Sequence, residues 1–255
     1  MNAIKYFIYK NIIPLLGTAF KNRNKYINVI YYHDVVKGEG DSFMRTSLSK
    51  FKQQMQYIVD NGYVTKRFDD LRTPDDVLYD EKTVLIAFDD GWLSTYSEIF
   101  EYMESYGIKY NVFLEVGKIG TNPDYLSWDQ IRDMYSSGTV GFGAHTYTHP
   151  DMTSLSDISL KHEIDDANDR IEKELGIVPR DFCFPYGAYS EETLQVITDM
   201  KVYSRIYTSD LNYSYLKKHT VIFGRNAISN DEDFTIFVNK LKGRYNMYHT
   251  IKKLF

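Results

Sequence analysis

Short apolar runs bounded by turn residues recur along the chain at Ile27 to Tyr32, Thr83 to Phe88, Tyr110 to Leu114, Val140 to Ala144, Phe182 to Phe184 and Val202 to Tyr207. Unbroken runs of this length predict strands covered on both faces, as parallel strands are. Between them the period changes to that of a helix, with Phe51, Met55, Ile58 and Val59, then Ile99, Tyr102, Met103 and Tyr106, then Leu160, Ile164, Ala167, Ile171 and Leu175. Ser127, with Gln130 three residues on, has the form of a capping box ahead of Ile131, Met134 and Tyr135, and Ser190 stands similarly before Leu194 and Ile197. Strand and helix alternate, which implies parallel strands wrapped by helices. About seven such units predict an α/β fold, a distorted (β/α)7-type barrel in a single domain. In a barrel of this kind functional side chains gather where strands end.

The 255 residues are 43% hydrophobic and 25% charged, enough for one large core. The lone Cys183 excludes an internal disulfide framework. The net charge is only −5, but it is unevenly spread. Lys5, Lys10, Lys21, Arg23 and Lys25 all precede the first acid, Asp34, and Lys240, Lys242, Arg244, Lys252 and Lys253 follow the last, Asp233. The stretch between them is acidic, with 20 basic against 35 acidic residues, which disfavours a nucleic-acid partner.

The chain therefore divides into a basic amphipathic segment 1–25, a main domain 26–240 and a basic tail 241–255. The opening apolar set Ile4, Phe7, Ile8, Ile12, Leu15 and Leu16 is too short to span a bilayer. With the basic tail it predicts peripheral contact with an anionic membrane at the cell envelope, the cytoplasmic face favoured over secretion. Two solvated termini are the plain alternative. The oligomeric state is left open.

Three segments carry chemistry. The run Val84 to Phe88 ends in Asp89-Asp90-Gly91, and adjacent residues at a strand end point different ways, so the two carboxylates can have separate tasks. Taken alone, a turn capping the next helix explains them equally well. His145 and His149 follow the run Val140 to Ala144, and Pro150 disfavours helix at His149, which places the pair in a turn. Two imidazoles and one carboxylate can hold a divalent cation with positions left open. Phe184-Pro185-Tyr186-Gly187 is a proline-fixed turn able to aim the Tyr186 amide at a developing oxyanion.

Taken together, these residues resemble the NodB-homology polysaccharide deacetylases, carbohydrate esterases that remove acetyl groups from sugar polymers, over roughly Ile27 to Ile228. The resemblance implies that Asp89 is the general base, that Asp90, His145 and His149 are metal ligands, and that the Tyr186 amide faces the oxyanion. It also implies one divalent ion, zinc first with cobalt or nickel as alternatives, and an acetylated glycan as substrate.

Two departures from the broad pattern matter. Many members carry an arginine two residues before the turn proline, where this chain has Cys183, so charge support for Asp89 falls to Arg180 or Arg225. The late Leu-x-Ile-x-His motif that often supplies the general acid is absent, the region reading Asn226-Ala227-Ile228-Ser229-Asn230. Instead Tyr32-His33-Asp34-Val35 is similar to a segment of the poly-N-acetylglucosamine deacetylase branch, which makes His33 the candidate acid. The rival readings are a sugar-binding protein that has lost activity on the same fold and, less favoured, a non-haem iron oxygenase.

Overall fold

Seven strands run parallel in one curved sheet: β1 (Asn28–Tyr32), β2 (Thr83–Phe88), β3 (Tyr110–Leu114), β4 (Val140–Ala144), β5 (Asp181–Cys183), β6 (Arg205–Thr208) and β7 (Thr220–Gly224). This is a computed structural model, and it describes residues 3–20, 25–41, 44–209, 213–246 and 248. Neighbours in sequence are neighbours in space from β2 to β7, and β1 lies beside β2. After β7 the chain crosses from β6 to β1, where Asn226–Ala227 (β8) pairs in parallel with Ile30 and Tyr31. One stretch of chain thus closes the barrel, and Arg225 is the residue at the crossing.

Six of these strands coincide with the apolar runs. The seventh, β7, does not, because it leaves a tight turn from Tyr215–Lys217, with Lys217 opposite Thr220, and its pattern merges with that hairpin. The apolar run at Val202 becomes strand only from Arg205, since the amides of Ser204 and Arg205 both bond the Arg180 carbonyl.

Alternation along the strands sorts the side chains. Val29, Tyr31, Leu85, Ala87, Phe113, Cys183, Tyr207 and Phe223 fill the barrel, while Ile30, Tyr32, Ile86, Phe88, Val112 and Leu114 face the helices. The interior is tight on β4, where a Cβ at Gly143 would lie 2.8 Å from the Phe113 ring. At the base Phe68 wedges between Phe113 and Tyr207, and Arg205 grips Asp181 through two 2.6 Å bonds.

The outer layer comprises α1 (Leu48–Asp60), α2 (Phe100–Ser105), α3 (Trp128–Ser136), α4 (Asp157–Leu175), α5 (Glu191–Met200) and α6 (Phe234–Leu241). Of the faces read from the sequence, Phe51, Met55, Ile58, Ile99, Met103, Ile131, Met134, Leu160, Ile164, Ala167, Ile171, Leu194 and Ile197 are buried, at roughly 1.5–3 kcal/mol per fully buried large aliphatic or Phe side chain. Val59 and Tyr106 stay exposed, and α6 has no counterpart among the runs read from the sequence. The Ser127–Gln130 capping box is present on α3, and Ser190 caps α5. The chain begins with helical turns, Ala3–Phe7, Ile8–Ile12 and Ile13–Phe20, laid against α6. The tail from residue 249 onward lies outside the described residues.

Candidate active site

At the carboxyl ends of the strands the three segments converge. The β1–β2 register pairs Tyr32 with Phe88, and the Asp89 amide continues it onto the Tyr32 carbonyl at 3.0 Å. His33 and Asp89 therefore leave neighbouring strands side by side. Asp90 turns away from that line with φ 73°, and Gly91 follows at φ 83°, the sharp exit that a glycine permits. The two carboxylates diverge as their adjacency requires.

Asp90 faces the histidines. Its Oδ1 lies 3.6 Å from His145 Nε2 and 3.4 Å from His149 Nε2, and the two Nε2 atoms are 3.2 Å apart. The His145–His149 segment is a loop rather than a helix, as Pro150 requires. His145 Nδ1 lies 2.7 Å from the Cys183 carbonyl, an acceptor only, so that nitrogen carries the proton and Nε2 presents a lone pair. Burial pushes His145 down to about 3 and lowers His149 as well, so both rings are neutral at pH 7. Burial and the Asp89 charge push Asp90 up to about 6.

These observations fit a bound cation. The Asp90 Oδ1 atom is buried without a hydrogen-bond partner among the described residues. Ligands arranged tetrahedrally about 2.0–2.1 Å from zinc stand about 3.3 Å apart, close to the three separations found here. A second cluster, Asp89, His145 and Cys183, is less suited. Burial raises the Cys183 thiol well above its ordinary range, which keeps it protonated, and Asp89 is already engaged.

Asp89 is held by Arg225, whose Nη1 and Nη2 donate to its two oxygens at 2.7 and 2.8 Å. Nη2 also reaches Ser209 Oγ at 3.3 Å, and the guanidinium lies 4.0 Å over the Tyr31 ring. Burial alone would raise the Asp89 carboxyl, but the arginine overcomes it and holds the group at about 2. Arg180 does not take part. It precedes β5 at the base of the barrel, exposed, with Nη1 donating to the Val202 carbonyl, a strand length of roughly 10 Å from the mouth.

Tyr186 stands on the opposite rim with φ 60°, its exposed ring edge-on to His149 at 4.7 Å between centroids. No backbone hydrogen bond among the described residues uses its amide. Four non-glycine residues with positive φ, Asp90, Thr146, His149 and Tyr186, thus cluster at one mouth. Such conformations cost of order 1–3 kcal/mol each and persist where surrounding contacts fix them.

Part of that fixation comes from side chains that sequence reading passed over. Glu163 on α4 accepts from the amides of Tyr147 and Thr148 at 3.0 and 2.8 Å and from the Thr148 hydroxyl at 2.6 Å, clamping the turn between the histidines. The Trp92 indole donates to Asp90 Oδ2 at 3.0 Å, leaving Oδ1 toward the imidazoles. Trp92 stacks on Tyr125 at 4.6 Å, and Lys118 ties the Tyr125 hydroxyl to the buried Glu115 carboxylate. Trp92 could have been suspected because it stands two residues after Asp90; Glu163 gave no local signal.

A sequence model of the polysaccharide deacetylases matches residues 77–204. Among curated proteins, the chain is 27% identical over 169 residues to Bacillus subtilis YxkH, which carries the polysaccharide deacetylase name provisionally, covering 66% of this chain and 59% of that one. It is 21% identical over 131 residues to the poly-β-1,6-N-acetyl-D-glucosamine N-deacetylase of Staphylococcus aureus, covering 47% of this chain and 45% of that one. The chain thus spans about half the length of these relatives. Among solved structures, the Streptococcus pyogenes deacetylase PplD in complex with acetate superposes with a TM-score of 0.75 at 19% identity, over 86% of this chain and 99% of that one, a likeness of fold. Half of the chain matches the family's own pattern, and the protein belongs to the polysaccharide deacetylase family.

Proposed function

We propose that the protein hydrolyses the acetamide of N-acetylglucosamine residues in a glycan or glycan precursor. The observation that carries this reading is the pairing of two unlike acids: Asp89, locked and ionised by Arg225, beside Asp90, turned toward two neutral imidazoles. Asp90, His145 and His149 would hold a divalent cation, zinc first with cobalt or nickel as alternatives. When bound, it supplies Lewis-acid polarisation of the acetyl carbonyl and acidifies water.

Asp89 takes the proton from the attacking water. Its ionisation is guaranteed by Arg225, and the bidentate grip fixes the direction in which its remaining lone pairs point. The Tyr186 amide, presented at the rim by the Pro185 turn, donates to the oxygen that gains charge as the carbonyl carbon becomes tetrahedral. His33, at the end of β1 and within electrostatic reach of both acids, gives a proton to the departing sugar nitrogen, and acetate and a free amine result. The exposed rings of Tyr186 and Tyr147 offer apolar faces to a sugar at this mouth.

The name of the S. aureus relative supports a β-1,6-linked N-acetylglucosamine polymer as the first substrate to try. Acetate release from N-acetylglucosamine oligomers by the zinc-loaded chain tests the reaction, with peptidoglycan fragments and acetylated xylan as alternatives. Asp89→Asn is expected to lose turnover and keep the cation, whereas His145→Ala loses both. Wild-type turnover in either variant would sink the assignment.

A further inference from the structure

The N-terminal helix has two apolar faces, and the fold uses one. Ile13 is buried with Ile236 and Tyr245, and Tyr6, Ile8, Tyr9, Leu16 and Tyr248 pack around them. The contact is close, since a Cβ on Gly17 would collide with the Arg244 carbonyl. Polar bonds fix the helix further: Tyr6 and Lys10 both reach Asp233, Tyr9 donates to Glu232 at 2.9 Å, and the Tyr245 hydroxyl donates to the Tyr9 carbonyl at 2.8 Å.

The other face is bare. Ile4, Phe7 and Leu15 are 73%, 59% and 70% exposed, and with Asn11 and Thr18 they succeed one another at intervals of three or four residues, forming one stripe. Three large apolar side chains held outward by a docked helix gain nothing from folding. Among the described residues no helix is long and apolar enough to cross a membrane.

Charge selects the occupant. Lys5 is exposed beside Ile4, and the Gly17–Arg244 contact brings Lys242 and Arg244 to the far end of the same helix. Among the described residues, basic groups from both ends of the chain, separated by an acidic body in sequence, therefore lie along one helix. The nearby acids Glu232 and Asp233 are taken up by Lys240 and by Tyr6, Tyr9 and Lys10. A second copy would set basic rim against basic rim.

We propose that the stripe Ile4, Phe7 and Leu15 lies in the headgroup region of an anionic lipid bilayer. The helix descends beside α6 from Asp233, near the mouth, to Arg244, near the base. Lying flat, it sets the barrel axis along the membrane, and the mouth opens sideways over the lipid surface.

The full chain is mixed with vesicles of phosphatidylcholine alone or blended with phosphatidylglycerol and sedimented. Partition is expected on the blended vesicles, about tenfold above neutral ones and weakening with salt. The triple variant Ile4→Ser, Phe7→Ser, Leu15→Ser should lose about tenfold in partition with its thermal unfolding and cation uptake unchanged. Equal recovery on neutral vesicles, no recovery on either, or a dimer in solution that the triple variant dissociates would each overturn the proposal. Should the triple variant not fold, Phe7→Trp serves: its emission is expected to shift to the blue with blended vesicles only, and an unchanged spectrum overturns the proposal equally.

Discussion

Arg225 clamps both carboxylate oxygens of Asp89 across 136 residues of sequence, at 2.7 and 2.8 Å, with its side chain 1% exposed. The pair is a buried charge on each side, so removing either partner strands the other. Arg225→Met is expected to cost about 3–5 kcal/mol in denaturant-unfolding stability. Arg225→Lys keeps a charge but loses the fork, and should lower turnover about a hundredfold while cation affinity holds. Equal loss of cation affinity in the lysine variant would show that Arg225 supports the fold of the mouth rather than Asp89.

Glu163 acts at a distance from the chemistry. By clamping two amides and a hydroxyl it holds a turn in which Thr146 and His149 both have positive φ. Glu163→Ala is expected to weaken cation binding about 10–100-fold in chelator competition. Glu163→Gln, which retains one acceptor oxygen, should recover part of it. Unchanged affinity in the alanine variant would show that the turn holds itself.

Trp92 orients Asp90 through its indole N–H. Trp92→Phe keeps the stack on Tyr125 and removes only that donor, so cation affinity should fall about tenfold with little change in thermal stability. In the parent chain the same indole is a reporter, and titrating zinc should change its fluorescence. An emission unaffected by zinc at saturation would separate Trp92 from the ligand set.

Cation removal tests the site as a whole. Dialysis against chelator is expected to abolish acetate release, with zinc, cobalt or nickel restoring it. Because the cation binds the folded chain, zinc at about a hundred times its dissociation constant should stabilise the fold by about 2.7 kcal/mol, read as a rise in the unfolding midpoint. That shift should vanish in the His145→Ala variant.

Periodicity and punctuation determined a great deal by themselves. Six apolar runs became six parallel strands, and Ser127 and Ser190 marked helix starts, because burial on both faces and the need to satisfy free amides leave local traces. Asp89-Asp90, the two histidines and the Pro-Tyr turn also stood out, since each follows a run that had to end at the same rim.

Tertiary structure decided what touches what. Arg225 and Arg180 were equal candidates in sequence; the crossing of the chain from β6 to β1 put the first on Asp89 and left the second at the barrel's base. Glu163 was likewise invisible, because contacts between distant segments depend on register and closure, which leave no local period to read.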